Sequence, residues 1–290
     1  MKLKTLTFAV IVNITFYISH HTSFAQDPQF TQFYAAPMYL NPAFTGNTIQ
    51  GRLSANYRKQ WNKVPGAFTS YAFGYDHNVS SIKSGLGLMF LKDIAGAGGL
   101  RFTSVSGLYS YQLSINQKYS VRAGARVGYT TRTLNLGFFT FADQYIRDDP
   151  YASIEEIGNK GISYLDIAAG MLFYSQDYWI GASFDHLNKP NQSLVGIKTP
   201  LPVKYAVQGG TRIPISKNEK GASVNNIIMA VNYKAQQKWD QVDLGAYFNY
   251  SAFIIGCWYR GIPLLKSYKK GYANNDALAV LAGYKVQDFF

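Results

Sequence analysis

From Lys118 to Arg132 two kinds of residue alternate. Tyr119, Val121, Ala123, Ala125, Val127 and Tyr129 share one parity; Lys118, Ser120, Arg122, Gly124, Arg126, Gly128, Thr130 and Arg132 share the other. A period of two sets these groups on opposite faces of an extended strand. Strands of soluble sandwiches commonly run ~5–6 residues, whereas a tilted strand needs ~9–11 to cross a bilayer. The apolar parity also ends in tyrosine, the residue type that belts membrane strands at the interface. This stretch therefore selects a membrane β-wall, apolar outside and polar inside.

The same reading recurs. Val242, Leu244, Ala246, Phe248 and Tyr250 face outward, with Asp243, Gly245, Tyr247 and Asn249 inward; Tyr178, Ile180, Ala182 and Phe184 alternate with Trp179, Gly181, Ser183 and Asp185. Ile227, Met229, Val231 and Tyr233 form a further outward set. Strands are expected at 51–60, 67–77, 84–93, 100–113, 118–132, 162–175, 177–187, 202–216, 223–236, 239–250, 252–261 and 276–287. The fold class is all-β, a transmembrane antiparallel up-and-down β-barrel of about 12 strands. Connections after odd strands include the long ones, 133–161, 188–201 and 262–275, and those after even strands are short. That asymmetry fits long outer loops and short periplasmic turns. Aromatics make up 16% of the chain, with 23 Tyr and 19 Phe; a barrel can place them against lipid instead of in a core.

Residues 1–25 read as a secretory signal peptide: Lys2 and Lys4, an apolar run Leu6–Phe16, and Ser23 and Ala25 flanking Phe24 before a cut. The chain then divides into 26–50, an N-terminal periplasmic or plug-like segment, and 51–290, an outer-membrane barrel. Net charge is +12, two units of it in residues 1–25. The basic residues are scattered along strands rather than clustered, and export argues against nucleic acid as a partner. Cys257 has no second cysteine to pair with and does not stand at the mature N-terminus, where a lipid anchor would need it. It reads as an apolar filler.

Little of the sequence suggests chemistry. His77 and His186 each follow an aspartate, Asp76 and Asp185, at a strand end; no serine motif accompanies them, so rim pairs are expected rather than a catalytic site. Asp143, Asp148, Asp149, Glu155 and Glu156 match no calcium-loop spacing. No enzyme activity, cofactor or metal is expected. The inward parity carries Arg52, Arg58, Arg122, Arg126, Arg212 and Arg260, with Asp76, Asp166, Asp185 and Asp243. Such charges can line an anion-preferring pore or form a salt-bridged plug. Gly85, Gly87, Gly124, Gly128, Gly181, Gly210 and Gly245 are also inward; they either leave room for an inserted segment or ease curvature.

The run Asp27-Pro-Gln-Phe-Thr-Gln-Phe-Tyr-Ala-Ala-Pro-Met-Tyr-Leu-Asn-Pro-Ala-Phe-Thr-Gly46 resembles the start of the PorP/SprF family, as do Tyr57–Trp61, Gly85–Leu100, Leu134–Leu136 and Phe141–Tyr145. The resemblance spans essentially the whole mature chain. It implies an outer-membrane protein of the type IX secretion and gliding machinery. That protein would assist secretion and surface attachment of cargo such as adhesins by binding their C-terminal signal. It also implies periplasmic and lipoprotein subunits of that machine as partners, besides outer-membrane lipid, and no catalytic residues. Proteins of this kind continue through another hairpin, which implies a barrel of about 14 strands. A passive pore or solute transporter is the alternative function.

Two sites are expected. Phe30, Phe33, Tyr34, Leu40, Asn41 and Pro42 belong to an aromatic stretch broken by prolines, which forbid a long helix or central strand. Exposed, it would be an adhesive patch, so residues 27–46 are expected to pack against or inside the barrel. Cargo is expected on the outer loops, chiefly 133–161, through Phe138, Phe139, Phe141, Tyr145 and Tyr151.

Overall fold

The computed structural model describes residues 27–30, 32–96, 99–135, 139, 141–147, 161–194, 196, 198–217, 223–269 and 272–286. The expected signal peptide lies outside them. The strands are β1 (Gly51–Gln60), β2 (Phe68–Val79), β3 (Ser84–Ala95), β4 (Leu100–Ser114), β5 (Ser120–Thr133), β6 (Gly161–Tyr174), β7 (Tyr178–Asp185), β8 (Lys204–Lys217), β9 (Ser223–Gln236), β10 (Trp239–Tyr250), β11 (Phe253–Lys269) and β12 (Tyr272–Tyr284). They form one antiparallel sheet in sequence order. No ladder joins β1 to β12 among the described residues, so the sheet is not closed. The expectation of a closed ring is corrected to that extent. Because strand direction alternates, β1 and β12 run oppositely, and only direct pairing or an even number of added strands can close them in an all-antiparallel wall.

The outward parity is apolar and open: Leu53, Leu88, Val105, Val127, Leu165, Ile180, Leu244, Ile255 and Val280 are all more than half exposed. Water would not tolerate such a belt around a monomer, whereas hydrocarbon does. No described helix is long and apolar enough to cross a membrane. The inward parity is polar and buried, as at Arg122, Arg126, Asp185, Gln208, Asn232 and Asp243.

The inner face is filled by the chain itself. The described residues of the 27–46 segment form three short turns: a 3-10 turn at Phe33–Ala35, α1 (Pro37–Leu40) and a second 3-10 turn at Pro42–Phe44. Pro37 and Pro42 each stand at a first-turn position, where the missing N–H costs nothing. The segment meets every strand. Arg52, Asn56 and Arg58 of β1 donate to the carbonyls of Phe44, Ala35 and Gln29. Asp76, Ser110, Arg122, Ser183, Lys204, Lys234 and Arg260 hold it from β2, β4, β5, β7, β8, β9 and β11. Asn41 reaches Met171 on β6, Tyr34 stacks on Tyr247 of β10, and Leu281 of β12 joins the cluster around Phe33. A Cβ on Gly85 of β3 would overlap Thr45. Only a wall curved almost into a ring can present twelve strands to one segment.

Several inward glycines belong to this contact. A Cβ at Gly85, Gly124 or Gly170 would overlap Thr45, Pro42 or Asn41. Gly128, Gly210 and Gly245 instead make room for Ser106, Trp179 and Trp258. Both readings of the inward glycines therefore hold, at different positions.

One expected loop is corrected. Residues 262–275 are largely strand, since β11 reaches Lys269 and β12 begins at Tyr272. Register shifts follow Arg260 and Ile262, and Gly261 stands at φ 141°; bulges let a strand continue past glycine and proline positions of this kind.

Gly124→Val is expected to lower stability by about 1–3 kcal/mol through overpacking against Pro42, measured as a urea or thermal midpoint. Gly107→Val is the control: its Cβ would meet nothing within 4 Å, and its midpoint should not move.

Candidate functional site: a segment clamped in the lumen

The segment runs along the lumen. Gly46, at one end, donates its N–H to Asp76 at 2.7 Å, while Arg52 bonds the same carboxylate through Nε at 3.0 Å and Nη2 at 2.9 Å. The Thr45 carbonyl accepts from Ser110 Oγ at 2.6 Å and Arg122 Nη1 at 2.7 Å. Midway, Asn41 is fully buried. Its Nδ2 donates to the carbonyls of Met171 and Ala182, both at 3.0 Å, and its Oδ1 accepts from Ala43 at 2.8 Å. A side-chain amide thus supplies partners to groups in two strands and caps the turn beginning at buried Pro42.

Aromatic contacts fix the other half. Phe30 packs edge-on against Tyr39 at 5.7 Å, whose hydroxyl donates to the Pro28 carbonyl at 2.5 Å. Phe33 meets Trp258 edge-on at 5.0 Å, and Tyr34 stacks on both Trp258 and Tyr247 at 5.4 Å. Leu40 packs beside the same cluster. All six residues singled out in this segment therefore lie inside the sheet.

At the far end the segment enters a network of charges. Asp27 Oδ2 lies 2.7 Å from Lys204 Nζ and 2.9 Å from His186 Nε2. His186 Nδ1 lies 2.7 Å from Asp166. Arg126 pairs with Asp185 at 2.7 Å and Asp166 at 3.7 Å, and Lys204 also pairs with Asp185 at 3.2 Å. Nearby, Asp243 holds Arg260 at 2.7 Å and Lys234 at 3.1 Å. Arg260 donates on to the Phe30 carbonyl and Lys234 to the Gln29 side chain. These pairs are nearly dry, and losing one partner would strand a buried charge at a cost of about 3–5 kcal/mol.

The lumen charges expected from sequence thus divide. Arg52, Arg58, Arg122, Arg126, Asp166, Asp185 and Asp243 join the packing around the segment. Arg212 is exposed. The histidine pairing is corrected: His77 is exposed on the outward parity, opposite to Asp76, and His186 is buried and bonded to Asp27 and Asp166. The main contributors that sequence reading missed are Asp27, Lys204 and Lys234. Lys204 stands opposite Asp185 in the β7–β8 ladder, a signal available once register is known; Asp27 is 177 positions from Lys204 and carried none.

Of the residues expected to hold cargo, Phe139, Phe141 and Tyr145 are described. Tyr145 is 77% exposed on α2 (Ala142–Arg147), next to Ile146 at 84%. Phe139 is exposed and Phe141 half-buried. Phe138 and Tyr151 lie outside the described residues.

An apolar outward belt, a polar inward face and a lumen packed with the chain's own N-terminal segment define a β-strand membrane protein. The chain matches the family described as type IX secretion system membrane protein PorP/SprF over residues 22–290. It belongs to that family, and its role lies in type IX secretion. No curated protein matches it.

The clamp gives a pH window. Burial opposes the His186 charge, but Asp27 and Asp166 outweigh it and push the imidazole up to about 9 from 6.5. Burial would raise the Asp27 carboxyl, but Lys204 and His186 hold it far below the usual range. Both residues lie outside the strands. The raised histidine stabilises fully below its unfolded value, and that contribution is lost as pH rises through about 9. The lowered carboxyl stabilises above its unfolded value, about 3.9, and that contribution is lost in acid. Chymotrypsin cleavage within 27–46 should therefore rise several-fold from pH 7 to pH 10. In His186→Phe it should be fast already at pH 7 and change little with pH.

Proposed function

We propose that this protein is an exported outer-membrane barrel that assists type IX secretion by holding cargo at the cell surface. The cargo proteins carry a C-terminal secretion signal, and the barrel acts beside periplasmic and lipoprotein subunits of the machine. The observation that carries this reading is the occupied lumen: the wall is packed around residues 27–46 through buried, paired charges, an arrangement suited to a fixed scaffold rather than an open pore. Surface area supports the same side as the family resemblance requires. Connections after even strands, such as 115–119, 175–177 and 251–252, are short, while a specific interface needs ~800 Å² per partner. The connection between β5 and β6 carries exposed Tyr145 and Ile146, and aromatic anchors of this kind dominate interfaces.

Deleting 146–158 should reduce cargo recovered with the purified barrel at least tenfold, while the barrel keeps its resistance to heat and protease. Tyr145→Ala alone should weaken capture by a factor of about 5–30, the loss of one aromatic anchor worth about 1–2 kcal/mol. Undiminished capture by an intact deletion variant would remove this loop from the site.

A further inference from the structure

Above the buried end of the segment lies a vestibule of about 670 Å³, within the ~300–1,000 Å³ range of small-ligand sites. Its lining comes from the strand ends that bear the odd connections, and Pro28 and Gln29 form part of it. The apolar walls include Trp61, Phe68, Tyr164 and Trp239.

Charge matching changes here. Deeper in the lumen Arg52, Arg126, Lys204 and Lys234 each have a carboxylate within 3.2 Å, as does Arg260 at the vestibule's edge, and Arg122, which has none among the described residues, is buried against the Thr45 carbonyl. In the vestibule, among the described residues, Arg58 donates to the Gln29 carbonyl at 2.7 Å and Arg132 to the Gln192 side chain. Among the described residues neither forms an ion pair within 4.0 Å of a carboxylate. Arg58 is also repelled by Arg260, itself in the lining. Three acids line the cavity, of which Asp27 is already paired with Lys204 and His186. Asp93 attracts Arg58 from beyond pairing distance and accepts the Ser70 hydroxyl at 2.5 Å. Asp276 is the extra residue of the β12 bulge, a device that re-aims side chains at barrel rims.

A guanidinium fork matches a planar carboxylate. A dianionic phosphate would suffer repulsion from Asp93 and Asp276 and leave the aromatic walls unused. A neutral sugar would leave both arginines unmatched. A peptide end satisfies the whole set, because its carboxylate meets the arginines, its N–H groups meet the acids and an apolar side chain meets the tryptophans.

We propose that the vestibule binds a short extended peptide segment through a carboxylate held by Arg58 and Arg132. The proposal rests on the cargo-holding reading above only in placing the site on the cargo side, and it is tested separately.

The test uses the full chain in lipid nanodiscs and a probe tetrapeptide, acetyl-Phe-Ala-Ser-Phe with a free carboxylate, titrated against tryptophan fluorescence. Saturable quenching is expected, weakened about tenfold or more by C-terminal amidation, by Arg132→Gln and by Arg58→Gln, the size of one charged hydrogen bond. Among the described residues Arg132 makes no hydrogen bond to the 27–46 segment and donates instead to Gln192, so its variant stays informative if Arg58→Gln loosens the segment. Equal binding of acid and amide, no saturation, or full displacement by equimolar inorganic phosphate or galacturonate would each overturn the proposal. The 146–158 deletion should bind the probe normally. Loss of cargo capture there with probe binding intact, or the reverse in Arg132→Gln, separates failure of the loop from failure of the vestibule.

Discussion

The chain from Asp27 to Gly46 and the inner face of the wall specify each other. A β-wall in lipid buries nothing on its outer side that water would drive together, so its cohesion comes from the backbone ladders and from whatever occupies the lumen. Here the occupant is apolar where it meets Trp258, Met89 and Leu108 and hydrogen-bonded where it meets strand carbonyls. Glycine at Gly85, Gly124 and Gly170 lets its backbone or its Asn41 side chain touch the wall directly. Removing those glycines or reshaping the segment would disturb the same contact from opposite sides.

Electrostatics then fixes where the segment lies. Hydrophobic packing alone would tolerate sliding along the lumen, whereas the pairs at Asp27 and at Gly46 tie its two ends to opposite ends of the wall. Buried ion pairs are weak sources of net stability. Their value here is positional: a displacement of a few ångströms would cost Lys204, His186 and Asp76 one partner each at the same time. The vestibule is where this matching stops.

Much of this was legible in the sequence. Alternation set strand positions and faces because side-chain period is an intrinsic property of extended chain, and β1, β9 and β10 fall where alternation placed them. The aromatic, proline-broken run betrayed a segment needing cover. Illegible were features that depend on distant pairing. The stretch 262–275 was expected as a connection rather than strand, because bulge geometry depends on the partner. The histidine at 186 looked like a rim residue, because its carboxylates come from β6 and from the segment. The inward arginines announced a charged lumen, but not which of them would lack a carboxylate.

The central claim is that residues 27–46 are the packed interior of the wall. Hydrogen–deuterium exchange of the full protein in lipid nanodiscs at pH 7 tests it directly. The amides of Leu40, Asn41, Ala43 and Thr45 should exchange as slowly as those of β4 and β5. Exchange of these amides at the rate of a free peptide, with the strands still protected, would contradict the account.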